Sequence, residues 1–300
     1  DGSWRVELPA VKADGKDHTL TIKGPANSVE LKNVLLGEVW LASGQSNMNR
    51  PDAIKDDVPG LRLLLRSRQK QQGPVPVRGD YGDDVQCTWA PATPAGVAAA
   101  PQTLQKGGKI GPNNTYPRVA YVFARTLHDT LKVPVGIMAI PVGGSTAKAW
   151  IPQADIDKTF PFDKPAESKK AAHEPGLMFQ SQLRPVVGMT IRGIIWYQGE
   201  DDGRNKEYAK DFTELIASWR KLWNRPDLPF YFVQTAPCGY AGGTLLVWPA
   251  QVEVFNTVPN TGLAVSNDIN DNGGPVPADA KLCKGKGEND PDAGLPVTGS

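Results

Sequence analysis

Gly37-Glu38-Val39-Trp40-Leu41-Ala42-Ser43-Gly44-Gln45-Ser46-Asn47-Met48 begins as an apolar run and ends abruptly in small and polar residues. Val39 to Ala42 reads as a buried strand that Ser43-Gly44 breaks, which sets Ser46 where the chain turns off a sheet edge. In open α/β sheets ligands bind beyond the carboxyl ends of the strands, so a serine on that turn is a candidate nucleophile. The same residue also suits a cap on the segment that follows, with no chemistry attached.

Working outward, further apolar runs alternate with helical patterns. Val135 to Val142 reads as a buried parallel strand without alternation, as do Ile191 to Tyr197, Phe230 to Gln234 and Gly262 to Ser266. Leu61 to Arg66 is a shorter strand. Apolar residues at 119, 122, 123, 127 and 131 define a helix over Val119–Leu131, and Phe212, Leu215, Ile216, Trp219 and Leu222 define another over Tyr208–Trp223, stopped by Pro226. Strands interleaved with helices predict an α/β fold with a mainly parallel sheet. Residues 1 to 36 alternate instead, over Trp4–Leu8, His18–Ile22 and Ser28–Leu31, with turn chemistry between, which predicts a short antiparallel β segment ahead of the main domain.

Gly143-Gly144 follows the strand ending at Val142. A glycine pair there holds a tight turn; equally, it leaves backbone N–H groups pointing into a cleft with no side chain in the way, as an oxyanion site requires. Gln198 ends the next strand, where its amide is placed to add a third oxyanion donor, and Glu200 is placed to orient its neighbours. From Ser67 to Asn114 the chain is rich in Gly, Pro, Gln and Lys; this long loop is expected either to be a surface insertion or to rim the cleft, with Tyr81 and Trp89 as stacking platforms.

These three stretches, Gly37–Met48, Pro141-Val142-Gly143-Gly144-Ser145-Thr146-Ala147-Lys148-Ala149-Trp150 and Ile191-Arg192-Gly193-Ile194-Ile195-Trp196-Tyr197-Gln198-Gly199-Glu200, occur in an order that resembles the sialate O-acetylesterase family, a branch of the SGNH (GDSL-like) carbohydrate esterases. The resemblance covers roughly residues 37–271. It implies a three-layer SGNH-hydrolase-like fold over 37–271, preceded by a remnant of an N-terminal β domain at 1–36. It also implies Ser46 as nucleophile, with Gly144, Gln198, Glu200 and Asp271 completing the catalytic set and Gln45, Asn47, Gly143 and Ser145 touching substrate. The implied reaction removes acetyl groups from a small or polymeric sugar, needs no metal or cofactor, and belongs to the periplasm or the exterior. A catalytically silent sugar-binding module and an acetyl xylan esterase are the alternatives.

Such a serine needs a general base, and the family supplies a His-Pro pair just after the last core strand with an aspartate before it. Here the corresponding stretch is Ser266-Asn267-Asp268-Ile269-Asn270-Asp271-Asn272-Gly273-Gly274-Pro275, without histidine. The three histidines are His18 in a strand, His128 on a helix and His173 in the loop Ala171–Gly176, beside Glu174. The expected consequence is a chain that binds acetylated sugar and hydrolyses it poorly. Residues 272–300 are rich in Gly, Pro, Lys and Asp, without helical periodicity, and are expected to be disordered; Leu295-Pro296-Val297-Thr298-Gly299 fits a sortase-type pattern without the apolar segment that should follow it.

Composition excludes several other classes. With 33 basic against 32 acidic residues, no net field favours nucleic acid or an anionic membrane, and no apolar run nears the ~20 residues of a membrane span. Cys87, Cys238 and Cys283 are too scattered for a disulfide framework or zinc site and are expected to be free, buried thiols, although a Cys87–Cys238 bridge stays open. The start at Asp1, without methionine, suits a mature form or a fragment.

Overall fold

The computed structural model describes residues 6–68, 85–99, 115–159, 171–235 and 244–266. In chain order the elements are β1 (Asp17–Lys23), β2 (Ser28–Leu35), β3 (Glu38–Gly44), β4 (Pro51–Ala53), β5 (Val58–Arg68), β6 (Val85–Ala92), α1 (Pro94–Ala98), β7 (Thr115–Pro117), α2 (Arg118–Leu131), β8 (Val135–Ala139), α3 (Gln153–Thr159), β9 (Gly193–Tyr197), α4 (Tyr208–Leu222), β10 (Phe230–Val233), α5 (Thr244–Thr257) and β11 (Thr261–Ala264). Seven strands form one sheet in the order β11-β10-β9-β3-β8-β5-β6, parallel throughout except that β6 runs antiparallel to β5. The fold is the expected α/β class with a mainly parallel sheet.

The strand order locates the site. From β3 the chain crosses to β5 on one side of the sheet, and from β8 it passes back over β3 to β9 on the other. β3 is therefore the switch point, with β8 and β9 as its two neighbours. In open sheets of this kind the crevice opens where successive connections diverge, beyond the carboxyl ends of the strands. The loops after β3, β8 and β9 must meet there, although those strands end far apart in sequence, at Gly44, Ala139 and Tyr197.

Alternation along the strands splits the core between the two faces. Leu41, Met138, Ile194, Trp196, Phe230 and Phe232 pack with α4 and the turn Ala147–Trp150 on one face. Trp40, Ala42, Ile137 and Ile195 pack with α2 on the other. On the first face Trp150, Trp196 and Trp219 are fully buried and meet edge-on, with Trp196–Trp219 ring centroids 5.7 Å apart and Trp150–Trp196 5.8 Å. Each such aromatic contact adds ~0.5–1.5 kcal/mol beyond simple burial, so this face clamps the loops that follow β8 and β9.

The N-terminal segment keeps two of its three expected strands: β1 and β2 form an antiparallel hairpin, while Val6–Leu8 is irregular and exposed. The expected long loop from Ser67 is corrected at its far end, where Val85–Ala92 is the strand β6, paired with β5 from Arg62 to Arg68. Trp89 on that strand lies 3.2 Å from the position a Cβ would take on Gly136. It lines a hollow of about 410 Å³ with Glu38, Val39, Pro134 and Val135 at the amino ends of β3 and β8. It is therefore at the pole opposite Ser46 and is no platform for the cleft. Cys87, on the same strand, is exposed rather than buried. Tyr81, Asp271, the other two cysteines and the 272–300 tail lie outside the described residues. No helix among the described residues is long and apolar enough to cross a membrane.

Candidate active site

β3 ends against both neighbours. Gln45 N–H donates to Tyr197 O at the end of β9 (2.9 Å), and Gly44 O accepts from Val142 N–H beyond β8 (3.0 Å). Gly44 has φ +131°, and a Cβ there would lie 2.1 Å from Tyr197 O, so only glycine allows the approach. The chain then turns sharply, and Ser46 emerges exposed between buried Gln45 and buried Met48. That is the placement the sequence predicts for the hydroxyl.

The loop after β8 arrives beside it. A Cβ on Gly143 would sit 3.7 Å from Ser46 Cβ, and one on Gly144 would sit 3.9 Å from Asp201 Oδ1. Gly144 has φ +73°, the left-handed conformation in which an L side chain is strained. No hydrogen bond among the described residues uses the N–H of Ser46 or of Gly144. The two glycines thus make a bare floor from the hydroxyl of Ser46 to the carboxylate of Asp201.

Other expected contacts turn inward. Gln198 is fully buried; its Nε2 donates to Ser145 O (3.0 Å) and to Asp202 Oδ2 (2.6 Å), while its Oε1 accepts from Tyr208 Oη (3.0 Å). Both amide hydrogens are engaged inside the protein, so the expectation that Gln198 supplies a third oxyanion donor is corrected. Ser145 is likewise buried: its hydroxyl donates to Val142 O (2.9 Å) and accepts from Trp150 Nε1 (2.9 Å), which removes it from substrate contact. Gln45, 1% exposed, accepts at Oε1 from the N–H groups of Gly199 (3.2 Å) and Asp201 (3.4 Å) and donates from Nε2 to Asp201 Oδ2 (3.3 Å). It ties the Ser46 turn to the loop after β9 and does not face the cleft.

Asn47 and Glu200 remain at the edge. Asn47 Nδ2 donates to Glu200 Oε1. Burial raises the Glu200 carboxyl above the usual carboxylate range, and its bond from Asn47 works the other way. Behind the floor, Asp202 accepts from Ala147 N–H (2.7 Å), Gln198 and Asn205 (3.2 Å). Complete burial pushes its pKa up to about 6 despite those donors. Asn205 passes the network on to Asp211 (2.8 Å), which faces Lys148 Nζ at 3.6 Å.

His173, the histidine set aside by the family pattern, comes into the site. The turn Ala171–His173 docks through Ala172 O on Thr146 N–H (3.3 Å), and His173 Nε2 lies 3.2 Å from Asp201 Oδ1. Sequence distance hid this, since 28 residues separate the pair. His18 and His128 pair with Asp14 and Asp129 on the exposed surface.

A three-layered parallel sheet with an exposed serine at its switch point, facing a glycine floor, defines the SGNH-like class of α/β proteins. The profile of one family within it, described as carbohydrate esterase, sialic acid-specific acetylesterase, matches residues 36–276, and the chain belongs to that family. Curated relatives include the sialate O-acetylesterases of Rattus norvegicus and Homo sapiens, each 26% identical over 91% of this chain. Among solved structures, a carbohydrate acetylesterase from Xanthomonas citri is 28% identical, with a TM-score of 0.67 over 87% of this chain. The chain spans 59%, 56% and 57% of the lengths of these three proteins.

Proposed function

We propose that this chain is a carbohydrate O-acetylesterase domain in which Ser46 attacks the acetyl carbonyl of an O-acetylated sugar. The observation that carries the reading is the exposed Ser46 beside the unobstructed Gly143-Gly144 floor at the switch point of the sheet. Negative charge developing on the carbonyl oxygen is received by the backbone N–H groups of Ser46 and Gly144, preset donors that need no rearrangement as the reaction proceeds. The C–O bond to the sugar breaks, the sugar leaves with a proton, and water hydrolyses the acetyl-serine. The acidic member of the set is Asp271, on the family pattern. Sialic acid is the sugar we assign, from the family and the curated relatives, and the periplasm or exterior is the compartment, since that is where surface glycans carrying O-acetyl groups are displayed.

The test is acetate release from 4-nitrophenyl acetate and from an O-acetylated sialic acid. Without a histidine after the last strand, release slightly above background is expected, and Ser46→Ala is expected to abolish it. In a serine-protease example, removing nucleophile or base costs ~10⁶ in turnover while donors and binding retain ~10³ to 10⁴ over water. A vigorous Ser46-dependent rate shows that another group serves as base; sugar binding with equal release from both proteins shows a silent binding module.

A further inference from the structure

Resting on that reading, we propose that His173 and Asp201 form the sugar subsite of the cleft, His173 accepting a hydrogen bond from a hydroxyl of the sugar whose acetyl group lies over Gly143. The floor has two ends. Gly143 faces Ser46, and Gly144 faces the Asp201 carboxylate. Consecutive Cα atoms are about 3.8 Å apart, so an acyl group reacting with Ser46 over the first glycine carries its sugar oxygen and ring toward the second. What it meets there is the Asp201–His173 pair, whose side chains are 21% and 27% exposed.

The pair is held rigidly enough to select a ligand. Asp201 is fixed by Gln45 at Oδ2 and meets His173 at Oδ1. Gln45 also receives the backbone N–H of Asp201, and the histidine turn is docked on Thr146, two residues beyond Gly144. Donation from His173 Nε2 to Asp201 Oδ1 selects the ring tautomer whose lone pair is on Nδ1. A ring acceptor beside a carboxylate suits a partner rich in O–H donors, which describes a sugar and does not describe an aryl or alkyl acetate. It also separates two jobs: Ser46 and the floor handle the ester, while the dyad recognises what the ester is attached to.

Two measurements on the intact chain test this. One is the affinity for O-acetylated sialic acid and for an acetylated xylo-oligosaccharide, by ligand-observed NMR. The other is the rate at which a fluorophosphonate probe, which carries no sugar, labels Ser46. His173→Ala is expected to weaken binding of the sugar that wild type prefers about five- to tenfold, the worth of one hydrogen bond, and to leave labelling within about twofold. Asp201→Asn is expected to act in the same direction, and His173→Gln, which restores an acceptor, to recover part of the affinity. Unchanged sugar affinity in His173→Ala, or no sugar affinity in wild type, overturns the proposal. So does a parallel loss of labelling, which makes the imidazole the base for Ser46, or an equal loss of both with a lowered Tm, which makes it structural. The esterase reading fails by a different result, acetate release by wild type that Ser46→Ala leaves unchanged.

Discussion

Two polar segments leave neighbouring strands of the same sheet and use their side chains in opposite ways. After β3 the chain turns outward and exposes Ser46; after β9 it turns inward, and Gln198 and Asp202 vanish into a network with Ser145, Asn205 and Tyr208. Both segments are small-and-polar punctuation at a strand end, so residue type alone assigns chemistry to each. Counting donors separates them: a group whose hydrogens are already engaged in the core holds the cleft together, and a group with an exposed hydroxyl does work in it. Substitutions in the two segments should therefore divide cleanly between rate and stability.

The largest expected effect is on rate alone. Ser46→Ala should bring acetate release down to the spontaneous level, while Tm stays within the range of a surface change, under about 0.5 kcal/mol. Paired kinetics and thermal melts check it, and a Tm drop of many degrees would place Ser46 with the scaffold. Gly143→Ala comes next. Its new methyl would make ordinary contact with Ser46 at 3.7 Å, so the chain should fold normally, yet the group fills the floor on which the proposed reaction seats the acetyl group. The slight Ser46-dependent acetate release should then be lost, as a misplacement that costs ~10² requires, with fluorophosphonate labelling as a second readout.

Gln198→Leu should do the reverse. It removes the donor to Ser145 O and Asp202 and the acceptor for Tyr208, leaving buried polar groups unpaired at a combined cost of about 3 kcal/mol. That corresponds to a fall in Tm of roughly 6–12 °C for a domain of this size. An unchanged Tm with a large loss of rate would return Gln198 to the oxyanion pocket.

Most of the scaffold was legible because it repeats. Apolar runs at 39–42, 135–142 and 230–234 and the helical spacing along α2 and α4 carry enough periodicity to be read singly, and the break at Ser43-Gly44 marks the site. What was illegible depends on partners far away in the chain. β6, Val-Gln-Cys-Thr-Trp-Ala-Pro-Ala, is short and ends in a Gly- and Pro-rich tract; pairing with β5 makes it a strand. α5 holds Pro249 in its interior and lacks the one-sided apolar spacing of α2 and α4. The inward turn of Gln198 depends on Ser145, Asp202 and Tyr208, brought together only by the crossing of β8 and β9 over β3. The placing of His173 is illegible for the same reason. Its loop carries no motif, and only the fold sets it against Asp201.

An effect no larger than that of Gln198→Leu comes from a buried carboxylate of the scaffold and appears only when pH is varied. Asp202 is fully buried, and burial pushes its pKa up to about 6 from an ordinary value of 3.8. The folded chain therefore holds this proton more tightly than the unfolded one. Between pH 4 and 6 the native state binds more protons at this site, so its contribution to stability falls as pH rises through that window and then levels off. The full decline is up to about 3 kcal/mol, since one pKa unit is worth about 1.4 kcal/mol. Asp202→Asn cannot titrate, and its amide hydrogens also oppose the donors from Ala147, Gln198 and Asn205, so its absolute stability should be lower. The informative quantity is the slope: urea midpoints of the variant should lack the decline between pH 4 and 6 that wild type shows, and Ser46→Ala should keep it. A wild type that instead gains stability across this window at Asp202's expense would mean the three donors outweigh burial, and the carboxylate would then be as much a charged anchor for the floor as Gln198 is a neutral one.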